Sequence, residues 1–397
     1  MNTLNAYLRG GGRFIVIILL AAITFSYAMF QGGFVSWFIF YSLIPFLLYS
    51  LLLSFAPIKI EDVHREIEPS KLHRGDSAKI SVRFRNRTWI PLIFMTVQEI
   101  GIEGQTSKYP GNFNQIYFVG WKREFEWVYE LNDLKRGKLE FKGLQFTFTD
   151  IFGWTIRQKV LEGNKAVIIQ PKLSPIKYKP LQMQFEHGGV VSPFSMVKDT
   201  SLVTGVRDYQ SGDRYSWIHW KSFAKNETLR TKEFEDRQSQ DVFLTIDQSS
   251  AKNFEYAVDL TASILQSVIQ SRGDISFLLS GDKRELFPKL KSQNEVEKVM
   301  QHLAVIEPNS KQSIDAILAR ELGLLNSTTL MLVTGELSEK LKDFFLNSSK
   351  FARGIVCFVV ADKNEKVVEQ KFGAANVKVI YIKAGQFENA FTEVMKP

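Results

Sequence analysis

The spacing of hydrophobic positions changes twice along the chain, and each change marks a different kind of element. Residues 14–30 and 34–57 are two uncharged apolar runs separated only by Gln31-Gly32-Gly33. At 1.5 Å per residue they extend about 25 and about 36 Å, against a hydrocarbon core of about 30 Å. Both read as membrane helices, the second tilted or kinked at Pro45. Arg9 and Arg13 precede the pair, Lys59 and Arg65 follow it, and the turn between them carries no charge. That distribution predicts a two-pass anchor over 1–57, with both termini and the bulk of the chain on the cytoplasmic side. No small-residue cleavage site follows the first run, which speaks against a removed signal peptide.

From Ile58 to Pro171 the period becomes two. Ile80, Val82 and Phe84 alternate with Lys79, Ser81, Arg83 and Arg85; Phe125, Trp127 and Tyr129 alternate with glutamates; Phe146 and Phe148 alternate with threonines. Strict alternation buries one face and wets the other, so antiparallel strands are expected. About seven of them punctuated by Gly turns predict an all-β sandwich of immunoglobulin-like type over 58–171. Its Trp89, Trp121, Trp127 and Trp154 read as core or as a seam to the membrane, more simply than as a sugar site. Residues 172–204 are dense in Pro and Gly and read as an irregular connector.

The period changes again after Glu235, where short apolar β-runs (Val242–Ile246, Ile275–Leu279, Thr329–Val333, Ile355–Val360, Val377–Ile382) alternate with amphipathic helical stretches, the last of them Phe387–Met395. Within 205–397 this predicts an α/β doubly wound parallel sheet covered on both faces. Ligands of such sheets sit at the carboxyl ends of the strands. Neither G-x-G-x-x-G nor a P-loop follows the first strand, so nucleotide binding of those kinds has no support. Charge adds one point: the net +8 suits a nucleic acid or an anionic membrane. Lys and Arg are interspersed with acids and form no basic run, so the membrane is expected and nucleic acid is not. The single cysteine, Cys357, lies inside an apolar strand and reads as a buried hydrophobe in a reducing compartment.

The densest chemistry lies in Gly205–Glu235. Ser211-Gly212-Asp213 reads as a turn, and Tyr215–Lys225 as a short helix with Trp217, Trp220 and Ala224 on one face and Lys221 and Lys225 beside it. Leu229–Phe234 reads as a strand. On composition alone this is a structural plug, its Trp pair packed against the next domain.

Arg207-Asp208-Tyr209, Gly212-Asp213, Ile218, Trp220-Lys221, Ala224-Lys225 and Lys232-Glu233-Phe234 resemble the signature of the bacterial family called domain of unknown function 58, the YeaD-like proteins. Lys135-Arg136-Gly137-Lys138, Asp150-Ile151-Phe152-Gly153 and Ile169-Gln170-Pro171 extend the resemblance upstream. Ser216 and Lys225 stand where the family has Arg, so a planar bidentate donor is missing at two places.

The resemblance implies a von Willebrand factor A-like C-terminal domain, in which Asp-x-Ser-x-Ser after the first strand holds a divalent cation with a Thr and a later Asp. Here the run is Asp247-Gln248-Ser249-Ser250-Ala251, with Ala251 replacing the second Ser, and Thr334-Gly335-Glu336 puts Gly335 at the later Asp. Asp247 and Ser249, with Thr334 or Glu336, are thus an incomplete set for Mg²⁺; the simpler expectation is that they cap the following helix and that no cofactor is bound. The resemblance also implies a MoxR-type AAA+ ATPase as partner, with a transglutaminase-like membrane protein nearby. The expected function is a membrane-anchored cytoplasmic adaptor without catalytic residues. In it Arg207, Asp208, Tyr209, Gly212, Asp213, Trp220, Lys221 and Arg230 weld the signature segment to its domain or face the partner. The alternative is a metal- or acid/base-dependent hydrolase using Asp208, Asp213, His219 and Asp247. The chain lacks G-x-S-x-G, H-E-x-x-H and a Cys/His cluster.

Overall fold

Two helices lead the chain, α1 (Asn2–Gln31) and α2 (Phe34–Phe55), and the turn between them is made by Gly32 and Gly33, both at positive φ. Phe34–Phe55 is long and apolar enough to cross a membrane, and Ile15–Gln31 is a shorter apolar stretch. The structure, a computed structural model, describes residues 2–104, 113–178, 203–210, 213, 215–226, 228–234, 242–271, 273–281, 284–325, 328–349, 352, 354–362, 376–388 and 390–391. The chain divides into two compact units whose main boundary falls between Lys172 and Leu173.

In the first unit the helices are followed by nine strands among the described residues: β1 (Ile60–Glu68), β2 (Leu72–His73), β3 (Ala78–Asn86), β4 (Leu92–Glu99), β5 (Ile102–Gly104), β6 (Asn114–Gly120), β7 (Glu124–Leu131), β8 (Gly137–Thr149) and β9 (Ile156–Gln170). One sheet runs β1-β3-β7 and the other β2-β9-β8-β4-β6, with β5 on β8. Every pair is antiparallel except β2 with β9. The alternation seen in the sequence is the cause: Ile80, Val82, Phe84, Phe125 and Trp127 of one sheet and Val97, Phe141, Phe146 and Phe148 of the other share one buried core. The Phe84 ring stacks on Phe125 at 5.5 Å and meets Phe146 edge-on at 5.0 Å. Each such side chain contributes about 1.5–3 kcal/mol by leaving water. Trp127 is core as expected, whereas Trp89 and Trp121 are exposed.

Arg65, counted from sequence among the cations flanking the membrane hairpin, is instead paired inside this unit. Its Nη2 donates to Glu99 Oε1 at 2.7 Å and Oε2 at 2.8 Å, and its guanidinium lies 4.6 Å from the Phe141 ring centre. The Tyr129 hydroxyl donates to Glu99 Oε1 at 2.7 Å. Burial pushes the Glu99 carboxyl above its ordinary range, opposed by Arg65 and the Tyr129 bond, and burial also pushes the Tyr129 phenol up.

The second unit opens on residues 173–178, extended along a helix. Ser174 N donates to Ser263 Oγ and Tyr178 N to Ser267 Oγ, both at 2.9 Å. The start of the expected irregular connector is therefore ordered, because two hydroxyls one helical turn apart satisfy its backbone; residues 179–202 lie outside the described residues. A two-stranded ribbon of β10 (Val203–Asp208) and β11 (Arg230–Phe234) encloses a 3₁₀ turn at Tyr215–Trp217 and helix α3 (Trp220–Asn226).

The chain continues through β12 (Val242–Ile246), α4 (Phe254–Gln270), β13 (Ile275–Ser280), β14 (Arg284–Leu290), α5 (Gln293–Val305), α6 (Ile314–Arg320), α7 (Leu322–Leu325), β15 (Thr329–Thr334), α8 (Glu339–Ser348), β16 (Gly354–Ala361) and β17 (Val377–Lys383). The closing helix expected over 387–395 falls largely outside the described residues. The sheet order is β14-β13-β12-β15-β16-β17, parallel throughout except for the antiparallel edge strand β14. That edge strand was not legible from the pattern: it contains Pro288, which an edge position tolerates because no neighbour needs its missing N–H. The sheet grows in one direction from β12 to β14 and in the other from β15 to β17. The crevice between β12 and β15 is thus the point at which the winding reverses, where doubly wound sheets place ligands.

Candidate functional site: a signature ribbon and a strand-end clasp

In the ribbon, Arg207 stands opposite Thr231 and Asp208 opposite Arg230. The loop between the strands folds back through Asp213. Arg207 Nη2 donates to Asp213 Oδ1 at 2.6 Å, and Gln210 N and Thr231 Oγ1 each donate to Oδ2 at 3.1 Å. Bonds of this kind favour the carboxylate, so Arg207 first and the Gln210 amide second hold the Asp213 carboxyl below its ordinary 3.8. Asp208 also meets a cation, Arg230 Nε at 3.3 Å, but on an open surface where such a pair contributes little. Tyr209 N donates to Leu229 O at 3.0 Å, extending the ribbon by one bond. Gly212 lies outside the described residues.

Because the folded-state value for Asp213 is depressed, the stability it contributes is complete above the ordinary 3.8 and is lost as pH falls through the lower value. The Gln210 and Thr231 amide resonances are expected to shift in that acid window in the wild type and to stay flat in Asp213→Asn.

The helix expected over 215–225 is broken. Ile218 is buried and bridges Thr231, and His219 N donates to Arg230 O at 2.8 Å, so these two residues join the ribbon and interrupt the helix. Trp217 therefore does not share a helical face with Trp220 and Ala224. His219 Nδ1 accepts from Ser222 N at 3.1 Å and so caps α3. Trp220, expected to pack as a plug, is 61% exposed and makes an edge-on contact with Phe223 at 6.2 Å. Lys221, Lys225 and Tyr215 are also exposed. Thr231, which closes the Asp213 bonds, was missed; its strand position opposite Arg207 was the available signal.

The second cluster lies at the winding reversal. Asp247 follows β12 and Thr334 ends β15, and both are buried. Asp247 Oδ1 accepts from Ser249 N at 2.9 Å and from Ser249 Oγ at 2.6 Å, while Oδ2 accepts from Thr334 Oγ1 at 2.8 Å. The structure thus brings Asp247, Ser249 and Thr334 together, whereas Glu336 is exposed. The capping expectation fails here: helix α4 starts only at Phe254, and its N-cap is Asn253, whose side chain donates instead to Val360 O at 2.9 Å.

A divalent cation does not fit this set well. Mg²⁺ asks for six oxygens in near-octahedral array, and the cluster offers one carboxylate and two hydroxyls, already bonded to one another. A Cβ at Gly335 would stand 1.7 Å from the Lys252 carbonyl oxygen, so no carboxylate can occupy that position on this backbone. Among the described residues no three His, Cys, Asp or Glu side chains converge as a metal cage would need. The arrangement is a clasp that ties the ends of two central strands.

Fold and sites together define a chain with apolar N-terminal helices, a two-sheet β unit and an α/β unit carrying a charged signature ribbon. A family model described as "Protein of unknown function DUF58" matches residues 205–375. The uncharacterized protein YeaD of Bacillus subtilis (strain 168) is 30% identical over 383 residues, covering 96% of this chain and 94% of that protein. The chain belongs to the DUF58 family. Two solved structures are similar to parts of it. The CARDB domain of the PF1109 protein from Pyrococcus furiosus, in complex with di-metal ions, is 16% identical and covers 29% of this chain and 94% of its own, with a TM-score of 0.19. The sporulation control protein Spo0M from Bacillus subtilis is 10% identical over 33% of this chain and 53% of its own, with a TM-score of 0.16. Scores this low give neither any weight for fold or function.

Proposed function

We propose that this protein is a membrane-anchored cytoplasmic adaptor that recognises another protein through its second unit, without catalysis. The observation that carries this is Trp220: a large indole left 61% exposed on a short helix that is capped by His219 and joined to a ribbon pinned by Asp213. Exposed aromatics with cations beside them, held on a fixed support, are what binding hot spots consist of. Lys221 and Lys225 supply those cations, and the basic side of the surface suits an acidic partner. Asp213 and Asp208 each meet an arginine, which favours recognition over hydrolysis.

The α/β unit is of von Willebrand factor A-like type in this proposal, supported by its strand order with an antiparallel edge and by Asp247, Ser249 and Thr334 at the winding reversal. The anchor is two-pass, with both termini cytoplasmic. The uncharged Gly32-Gly33 turn and the basic residues Arg9, Arg13 and Lys59 on the outer flanks support that topology. The partner implied by the family resemblance is a MoxR-type AAA+ ATPase, with a transglutaminase-like membrane protein in the same assembly. The test is capture of that ATPase, from the same organism, by the full-length protein. Asp213→Ala plus Trp220→Ala is expected to abolish capture, and undiminished capture by a folded variant would remove the segment from the interface.

A further inference from the structure

The end of the β unit at which β3, β6 and β8 finish and β4, β7 and β9 begin carries an unusual set of exposed side chains. Trp89 in the β3–β4 loop, Trp121 in the β6–β7 turn, and Ile151 and Phe152 in the β8–β9 loop are between 49% and 71% exposed. These loops belong together: Leu92 pairs with Gly120, and Arg123 Nη1 donates to Thr88 O. Four large apolar groups on three adjoining loops form a patch of the sort that marks an interaction surface.

The same end is welded to the second half of α2. Tyr49 OH donates to Pro91 O at 3.1 Å and accepts from Ile93 N at 3.2 Å. Ser50 Oγ donates to Asp150 Oδ2, Thr155 Oγ1 donates to Ser50 O at 3.1 Å, and Arg157 donates to Ser54 O. Lower down, the Phe46 ring meets Phe152 edge-on at 5.4 Å. Leu53 joins the core of the β unit, so these contacts run from Phe46 to Ser54, and Phe34–Pro45 precede them.

That stretch is too short to cross a bilayer. Twelve residues rise about 18 Å, whereas the hydrocarbon core is about 30 Å and a spanning helix needs about 20 residues. If α2 spans, the apolar layer must continue up the helix to about Leu53, past the level at which Phe152 sits.

We infer that the Trp89–Trp121–Phe152 rim of the β unit is itself immersed in the bilayer, so that α2 and the rim enter the lipid as one body. The inference rests on the proposal that α2 spans a membrane. The chemistry is graded as an interface requires. Phe152 lies level with Phe46, and Pro91, which follows Trp89 in its loop, lies level with Tyr49. Arg157 stands at Ser54, and Lys159, which donates to Ile58 O at 3.2 Å, stands above them. The polar groups of the weld are bonded to one another except Asp150 Oδ1, which is buried without a partner and is the one group there that lipid would not satisfy. Lys122 and Arg123 follow Trp121, the first with its ammonium 5.5 Å from the Phe125 ring centre and the second held on Thr88 O, which places two cations at the rim.

The test uses the full-length protein in nanodiscs of mixed neutral and anionic phospholipid, spin-labelled one site at a time. Cys357 is fully buried and stays unlabelled. Collision with oxygen, which partitions into lipid, is compared with collision with a water-soluble nickel chelate. A label at Phe38→Cys reports whether α2 is in lipid. A label at Asp133→Cys, at the opposite end of the β unit, reports water. Labels at Phe152→Cys and, should that variant not fold, Ile151→Cys are expected to shift to the oxygen-preferring ratio of Phe38. Chelate access at both rim sites with Phe38 in lipid overturns the immersion and leaves the spanning helix standing. Chelate access at Phe38 overturns both. Shielding of the rim labels from both agents would place a protein there instead and equally overturn the inference.

Discussion

Gly335→Ala is expected to lower the melting temperature of the α/β unit by about 6–12 °C, the shift that about 3 kcal/mol produces in a unit of this size. A methyl at that position would meet the Lys252 carbonyl oxygen at 1.7 Å, and the obstacle is backbone, which cannot swing aside as a long side chain would. The residue lies directly after Thr334, so the loop it displaces is the one that holds the clasp to Asp247. The control is Gly323→Ala: its added methyl meets nothing within 4 Å, and alanine suits a helix better than glycine, so no loss is expected there. Differential scanning fluorimetry of the full-length protein in detergent reads both. An unchanged transition in Gly335→Ala would mean that the loop is free to move and that the clasp is not a fixed support.

Glu99→Ala is the second large effect, expected to destabilise the β unit by about 3–5 kcal/mol because it strands a buried guanidinium. Both partners are almost fully enclosed, their side chains 8% exposed for Arg65 and 1% for Glu99. The companion Arg65→Met/Glu99→Ala double variant is expected to recover most of the loss, since two apolar groups leave no unpaired charge behind. The pH dependence has a defined sign. Burial raises the Glu99 carboxyl above its ordinary 4.5, so the folded state holds that proton more tightly than the unfolded chain. The stability it contributes is therefore complete below 4.5 and declines as pH rises through the raised value. Glu99→Gln is expected to remove that slope from a series of thermal melts.

Much of the architecture follows from periodicity alone. The alternation around Ile80–Phe84 and Phe125–Tyr129 marks two paired strands of one sheet and that at Phe146–Phe148 a strand of the facing one, and the apolar runs Val242–Ile246 and Thr329–Val333 become the two central parallel strands. The pattern is silent on pairings that no local signal encodes. The parallel contact of β2 with β9 and the antiparallel edge β14 depend on distant neighbours. Arg65 illustrates the same limit: in sequence it is one more cation after a membrane helix, and only the fold brings Glu99 to it. In the signature segment the strand over Leu229–Phe234 was legible, whereas its partner β10 and the meeting of Arg207 with Asp213 depend on the fold. The continuous helix failed because helical spacing of the tryptophans says nothing of Ile218, whose burial against Thr231 decides where the helix can begin. Asp247 and Ser249 were legible as a cluster with Thr334, but their role as a clasp required the Lys252 carbonyl, which no sequence pattern announces.

The capture experiment, made quantitative, tests recognition through α3 most directly: titration of the purified full-length protein with the MoxR-type ATPase, wild type against Trp220→Ala. Truncating a central indole anchor is expected to weaken binding about 30-fold, the ratio that a hot-spot loss of about 2 kcal/mol produces, with the thermal transition unchanged. Equal affinity of the two proteins would contradict the account, because the exposed Trp220 face would then take no part in recognition.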